Sequence, residues 1–334
     1  MPMKKTVELP LIEPLYSTYH YQGTCTAIIR DNPSIRNWYL EEIMMLICSK
    51  KFLSDFSSPE VGIVDSGWNV SPYIERRWFN TQFFKGYVHG IIRNMIDAGY
   101  YVCFDGIDDY YVEGKSWYKK RHFAHDGTIC GYDRENKTYC IYAYDSNWVY
   151  RKFNTPQKAF EAGRRASYNK GWFGNICAIR PKNVQVSFSP ENCLKKIGEY
   201  LSHTIDKYPE ETSELIYGIA VHNYIAKYLD RLYDSSIAYE KTDRRVLRLI
   251  WEHKKAMLER IKRLETELSL SSNASDAYSL IVKKADTMRM LYASHLMKRR
   301  DSLLPTIKNM LLSISDDEKR ILTELLNCAG GYSK

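Results

Sequence analysis

Apolar positions recur along this chain in two regimes that meet near residue 190. Before that point short helical stripes alternate with compact apolar runs; after it almost every stripe has helical spacing. In the first regime SIRNWYLEEIMMLICSKKF (34–52) and NTQFFKGYVHGIIRNMIDAG (80–99) predict helices, the second stopping at Gly99. YYVCFDG then predicts a strand, TPQKAFEAGRRAS a helix, and NICAIRP and NVQVSFS two further strands. Phe123 to Gly131 and Thr138 to Tyr144 are short, aromatic, partly alternating runs separated by the turn-forming YDRENK, which predicts an antiparallel hairpin.

In the second regime SPENCLKKIGEYLSHTI and ETSELIYGIAVHNYIAKYLDRL are amphipathic. Leu247, Ile250, Met257, Ile261, Leu264 and Leu268 carry one stripe through a longer helix. DAYSLIVKKADTMRMLYASHLMKRR and SDDEKRILTELLN complete the set, with Ser315 and Glu318 at capping-box spacing. The expected organisation is an α+β domain with a small antiparallel sheet over residues 1–189 and a helical bundle over residues 190–334.

The hairpin carries the first candidate chemistry. A residue early in its first strand lies across from one late in its second, so His125 and Asp145 are expected at the same end of the sheet. A carboxylate beside an imidazole fixes its tautomer and favours the imidazolium, which is useful wherever a nucleophile must lose a proton. The same pair is also a common structural hydrogen bond. His122 competes for the role, but it lies an odd number of positions from His125 and so belongs to the opposite face.

Composition narrows the alternatives. No apolar run in the 334 residues approaches the roughly 20 needed to span a bilayer, and the first residues lack the apolar centre of a signal peptide, so a cytoplasmic protein is expected. The eight cysteines show no CxxC pair and no zinc-ligand spacing, which fits reduced thiols without a metal. The formal charge of +8 favours an acidic partner, although its basic runs also suit solvated helix faces. Nucleic-acid motifs are missing, as is a Gly-rich phosphate loop.

A thiol nucleophile works best at a helix N-terminus, where the partial positive charge favours thiolate and free N–H groups can hold an oxyanion. Cys25 is the cysteine whose position fits: it follows the polar YHYQGT and precedes TAIIR. Cys48 is expected on the apolar face of a helix, and Cys130, Cys140 and Cys177 in strands. The order Cys25, His125, Asp145 is the order of a papain-type thiol site.

Those residues, with the run GIDDYYVEGKSWYKKRHFAHDGTICGYDRENKTYCIYAYD, resemble the papain-like fold in its C39-peptidase-like branch. More closely, they are similar to the acyltransferase-like proteins typified by the N-terminal domain of the butirosin biosynthesis protein H. The resemblance covers residues 99–147 best and 15–50 less well. It implies a papain-like catalytic domain with Cys25 as nucleophile, His125 as base and Asp145 as orienting acid. It also implies acyl transfer from a carrier-protein thioester to an amine or diamine in thiotemplated, nonribosomal antibiotic biosynthesis, without cofactor. The family's oxyanion glutamine stands several residues before the cysteine, whereas Gln22 stands three before Cys25; Tyr19 and His20 are alternatives for that role. A cysteine peptidase or amidase would use the same three residues with water as acceptor. A non-enzymatic binding protein, with the hairpin purely structural, is the other reading.

Overall fold

The computed structural model describes residues 5–67, 69–172, 175–203, 214–270 and 273–330. In chain order the elements are β1 (Thr6–Glu8), α1 (His20–Arg30), α2 (Pro33–Glu42), β2 (Leu46–Ser49), α3 (Phe52–Asp55), β3 (Gly62–Ile63), β4 (Ile74–Asn80), α4 (Val88–Asp97), β5 (Tyr101–Asp108), β6 (Ala124–Asp133), β7 (Thr138–Tyr144) and β8 (Tyr150–Pro156). They continue with α5 (Gln157–Asn169), β9 (Asn175–Pro181), α6 (Pro190–Ser202), β10 (Leu215–Tyr217), α7 (Val221–Tyr233), α8 (Val246–Glu267), α9 (Ala274–Lys298) and α10 (Leu304–Gly330). The protein is therefore mixed α and β. It divides into two compact units, residues 1–36 with 67–185 and residues 37–66 with 186–334.

The first unit is built on a seven-stranded antiparallel sheet in the order β4-β9-β5-β6-β7-β8, with β1 pairing the far end of β6. Alternation sorts its side chains. Val102, Phe104, Ile129, Tyr139, Ile141 and Ala143 form one apolar face with Val88, Ile92 and Ile96 of α4 and Phe160 of α5. Phe160 meets Phe104 and Tyr139 edge-on, each at 5.3 Å between ring centres, and each such buried side chain contributes about 1.5–3 kcal/mol. Thr128, on the opposite face, lies 2.7 Å from Thr24 of α1, oxygen to oxygen.

The second unit holds a three-stranded sheet, β10-β2-β3, and the long helices, with α9 packed on α8 and α10 and α7 on α10. Its interior is partly polar. Lys254 and Glu318, both fully buried, pair at 2.5 Å, and Tyr200 and Tyr278 donate to the same carboxylate. Buried Arg260 donates to the carbonyls of Tyr39, Leu40 and Ile43, and His253 to that of Met44 at 2.8 Å. These carbonyls lie in the last turn of α2 and just beyond it, where a helix runs out of intrahelical donors, although that of Tyr39 also accepts from the Ile43 N–H. They explain why residues 37–66 belong to this unit rather than to a continuous domain 1–189.

Several expectations need correction. The predicted helix 34–52 stops at Glu42, because Leu46, Cys48 and Ser49 are buried and Leu46–Ser49 pairs with two strands as β2. Cys48 is thus a strand residue. The predicted helix 80–99 is a 3-10 turn over Thr81–Tyr87 followed by α4, and the unforeseen strand β4 runs into it. NVQVSFS forms no strand. Ser315 caps nothing, since α10 runs unbroken through it and Glu318 turns inward. Residues 204–205 and 211–213 of two predicted helices lie outside the described residues; past the second gap, Leu215–Tyr217 is strand.

Candidate active site

The predicted hairpin forms as β6 and β7, and His125 is the second residue of β6. Its carboxylate partner is Asp109, whose Oδ2 lies 3.1 Å from Nδ1, rather than Asp145. Asp109 follows β5, whose Ile107 pairs with His125 across the sheet. The Lys115 ammonium lies 3.5 Å from the other Asp109 oxygen, 3.4 Å from His125 Nδ1 and 2.9 Å from the carbonyl of Asp126. Asp109 and Lys115 are fully buried at 0% side-chain exposure, whereas His125 retains 20%. Nδ1 cannot both donate to Asp109 and accept from Lys115. The shorter distance to Asp109, and the carbonyl already available to Lys115, favour Nδ1–H donating to Asp109. His125 Nε2 is then the bare nitrogen that can accept a proton.

Asp145 is committed elsewhere. Its carboxylate accepts from the backbone N–H groups of Asn147 and Val149 and from Arg151 Nε at 2.5 Å, closing the turn between β7 and β8. Burial opposes its charge, but these donors outweigh burial and hold its carboxyl below the usual range. Lys115 and Ser116 also intervene: Lys115 bridges Asp145 through the backbone and Ser116 donates to its carbonyl at 2.6 Å. Gly114, at φ +93°, permits this inward turn; a Cβ there would also meet the Phe153 ring.

His122 is likewise paired, at 2.8 Å, with Asp108, the carboxylate preceding Asp109. It is about half exposed and lies before β6 begins, so the argument from alternating strand faces does not apply to it. Against the cost of burial, His122, Lys170 and the Tyr110 and Phe123 N–H groups keep the Asp108 carboxyl low. Around His125 stand Phe123 at 5.6 Å and Tyr144 at 6.4 Å between ring centres, with Trp117 against Phe123 and Trp148. Arg121 lies over Trp117 and Phe123.

Cys25 is the sixth residue of the 11-residue α1, not its N-terminus. The polar lead-in YHYQGT is helical from His20 on because its second half is buried: Gln22, Gly23 and Thr24 are inside, as are Cys25 and Thr26 after it, while Tyr21 is exposed. At Gly23 a Cβ would overlap the Tyr150 ring, and the Tyr150 hydroxyl reaches Thr24 at 3.1 Å. By position the Cys25 N–H belongs to the helical ladder rather than to the free first turn. Cys25 is 1% exposed, and burial pushes its thiol well up, so the resting sulfur is protonated. Among the described residues it shares no hydrogen bond with His125. Gln22 lies in the first turn of α1, fully buried. His20, the first residue of α1, is the helix residue electrostatically coupled to His125. Burial, then the charge of Lys115, drives it down to about 3.

The structure therefore gathers His125 with Asp109 and Lys115, while the Asp145 carboxylate is used in its own turn and the Cys25 thiol shares no hydrogen bond with them. Asp109 was legible in principle: the register argument that pairs β6 with β7 applies equally to β5 with β6, and GIDDYY closes β5. Lys115 had no such signal. The chain matches no known family model and no curated protein. Among the described residues no helix is long and apolar enough to cross a membrane.

Proposed function

We propose that the unit built on the seven-stranded sheet is a papain-like catalytic domain and that the protein is an acyltransferase working through Cys25, with His125 as base and Asp109, in place of Asp145, as its orienting acid. The observation that carries this reading is the His125–Asp109 pair, buried on the acid side and open on the other, on a sheet against which the Cys25 helix packs. Cys25 attacks the carbonyl of a carrier-bound acyl thioester, and the pantetheine thiol leaves. An amine then attacks the acyl-cysteine, His125 takes the amine's proton, and the amide departs as the thiol reforms. Carrier proteins are acidic. Exposed Lys119, Lys120 and Arg121, just before β6, suit them, and docking through these residues weakens as salt rises. The depth of Cys25 requires the first turn of α1 to open before the thiol can react.

That same burial favours a second reading, a binding protein in which Cys25 is a core residue. One experiment separates them. The full chain is mixed with a carrier protein bearing an acyl thioester, with and without a diamine, and followed by intact mass; in parallel, Cys25 is probed with iodoacetamide. Transfer gives an acyl adduct on Cys25 that the amine discharges to amide, and Cys25→Ala loses the activity by on the order of a million-fold while keeping its circular dichroism. Discharge by water alone makes the protein a hydrolase. No adduct, with Cys25 alkylated only after denaturation, leaves the binding reading.

A further inference from the structure

Cys130 and Cys140 stand apart from the candidate site and from the other thiols. β6 and β7 pair Ile129 with Ile141 and Gly131 with Cys140, so Cys130 is the extra residue of a β-bulge and, with Gly131, faces Cys140 alone. The two sulfurs lie 3.4 Å apart, with the Cys130 thiol within donating reach of both Cys140 Sγ and the Cys140 carbonyl, also at 3.4 Å. Closing a disulfide requires them to approach to about 2.05 Å. Cys130 is buried, whereas Cys140 is partly open to solvent.

We propose that Cys130 and Cys140 form a dithiol site for low-molecular-weight disulfides, which oxidise it to an intramolecular disulfide tying β6 to β7. The Cys140 thiolate attacks one sulfur of the small disulfide, forming a mixed disulfide and releasing one small thiol. Cys130 then gives up its proton and attacks the Cys140 sulfur, expelling the second small thiol. Two protein thiols are thereby oxidised, and one small disulfide is reduced to two thiols. The asymmetry of the pair sets this order: the hydrogen bond from Cys130 favours the Cys140 thiolate, while the same bond and burial hold the Cys130 proton on. Cys103 and Cys177, also paired across two strands, are both buried, and Cys103 contacts Thr128 at 3.5 Å, so neither offers an open first thiol.

The test uses the full chain with Cys328→Ser, which removes the exposed thiol. Protein is equilibrated near neutral pH over a series of reduced to oxidised glutathione ratios, quenched in acid, alkylated and digested with trypsin. Cleavage at Arg134 and Lys137 puts the two cysteines in separate peptides, 122–134 and 138–151. The expected result is loss of two hydrogens per chain and a link between those peptides. In Cys130→Ser the reaction stops at one glutathione on Cys140, and in Cys140→Ser neither product forms. Full alkylation of both cysteines at the most oxidising ratio overturns the proposal, as does closure of another pair such as Cys103 and Cys177 in their place.

Discussion

Asp109 and Asp145 each follow the last residue or two of a strand on the same side of the sheet, and only one of them meets His125. The register Thr128↔Tyr142, continued three residues each way, would set His125 opposite Asp145, but the ladder stops at Thr128. The Asp145 carboxylate is used within its own turn, and the Lys115 backbone fills the place across from it. The cost of disturbing each acid should differ accordingly. Asp109→Ala leaves the Lys115 ammonium buried without its carboxylate and should cost about 3–5 kcal/mol, whereas adding Lys115→Met to Asp109→Asn should recover much of the loss caused by Asp109→Asn alone. Asp145→Asn keeps an oxygen for the two N–H donors and loses chiefly the ion pair to Arg151, whose side chain is largely in solvent, worth about 1 kcal/mol. Urea denaturation of the single and double variants decides the matter. Strictly additive costs for positions 109 and 115 would mean that they do not act as a pair. The carboxylate beside His125 was thus readable as a type of residue, and its identity turned on where one ladder ended.

At the scale of elements, α1 shows burial overriding local preference. Glycine inside a helix costs about 1 kcal/mol relative to alanine, and the polar YHYQGT reads as a loop for that reason. Gly23 is nevertheless helical because its missing Cβ lets the Tyr150 ring approach, and Thr24 then reaches both Thr128 and Tyr150. Gly23→Ala should therefore destabilise the protein by about 1–3 kcal/mol despite its better helix propensity, and Gly23→Ala with Tyr150→Leu should lose less than the sum of the two changes. A rise in melting temperature for Gly23→Ala alone would show that the ring is not packed there. The hairpin strands, α5, β9 and the long helices were legible because their periods are sustained and bounded by turn residues. β2 was hidden in a helical pattern: IMMLIC is apolar throughout, and such a run marks a buried strand or a buried helix equally well until its partners β3 and β10 are known. Ser315 and Glu318 failed for a related reason, since capping spacing carries no information about whether the glutamate is wanted inside.

For the molecule as a whole, buried histidines set the response to acid. His222 and His253 in the second unit are fully buried and His20 in the first is partly buried, and burial is the leading reason that all three are held neutral, His20 and His222 down to about 3. In the unfolded chain each titrates near its ordinary value of about 6.5. As pH falls below that value the unfolded state binds protons that the folded state refuses, so stability falls by up to about 1.4 kcal/mol per pH unit for each histidine. The loss continues until the folded pKa is reached. Glu318 follows in the same direction at lower pH. Burial alone would raise its pKa, but the Lys254 ammonium paired with it holds it at about 2, so its contribution is present above its ordinary range and disappears as pH drops from there toward 2. Two of the three histidines and the glutamate lie in the second unit, so that unit should soften first. The expectation is a clear fall in the urea midpoint between about pH 7.5 and about pH 5, with amide exchange in α7 and α8 accelerating more than in β5 and β6. His222→Gln should flatten the pH dependence even where it lowers stability at neutral pH. A midpoint that holds steady or rises on acidification would show that these histidines take up protons in the folded protein, and that the buried polar cluster around Glu318 is more open to charge than its geometry implies.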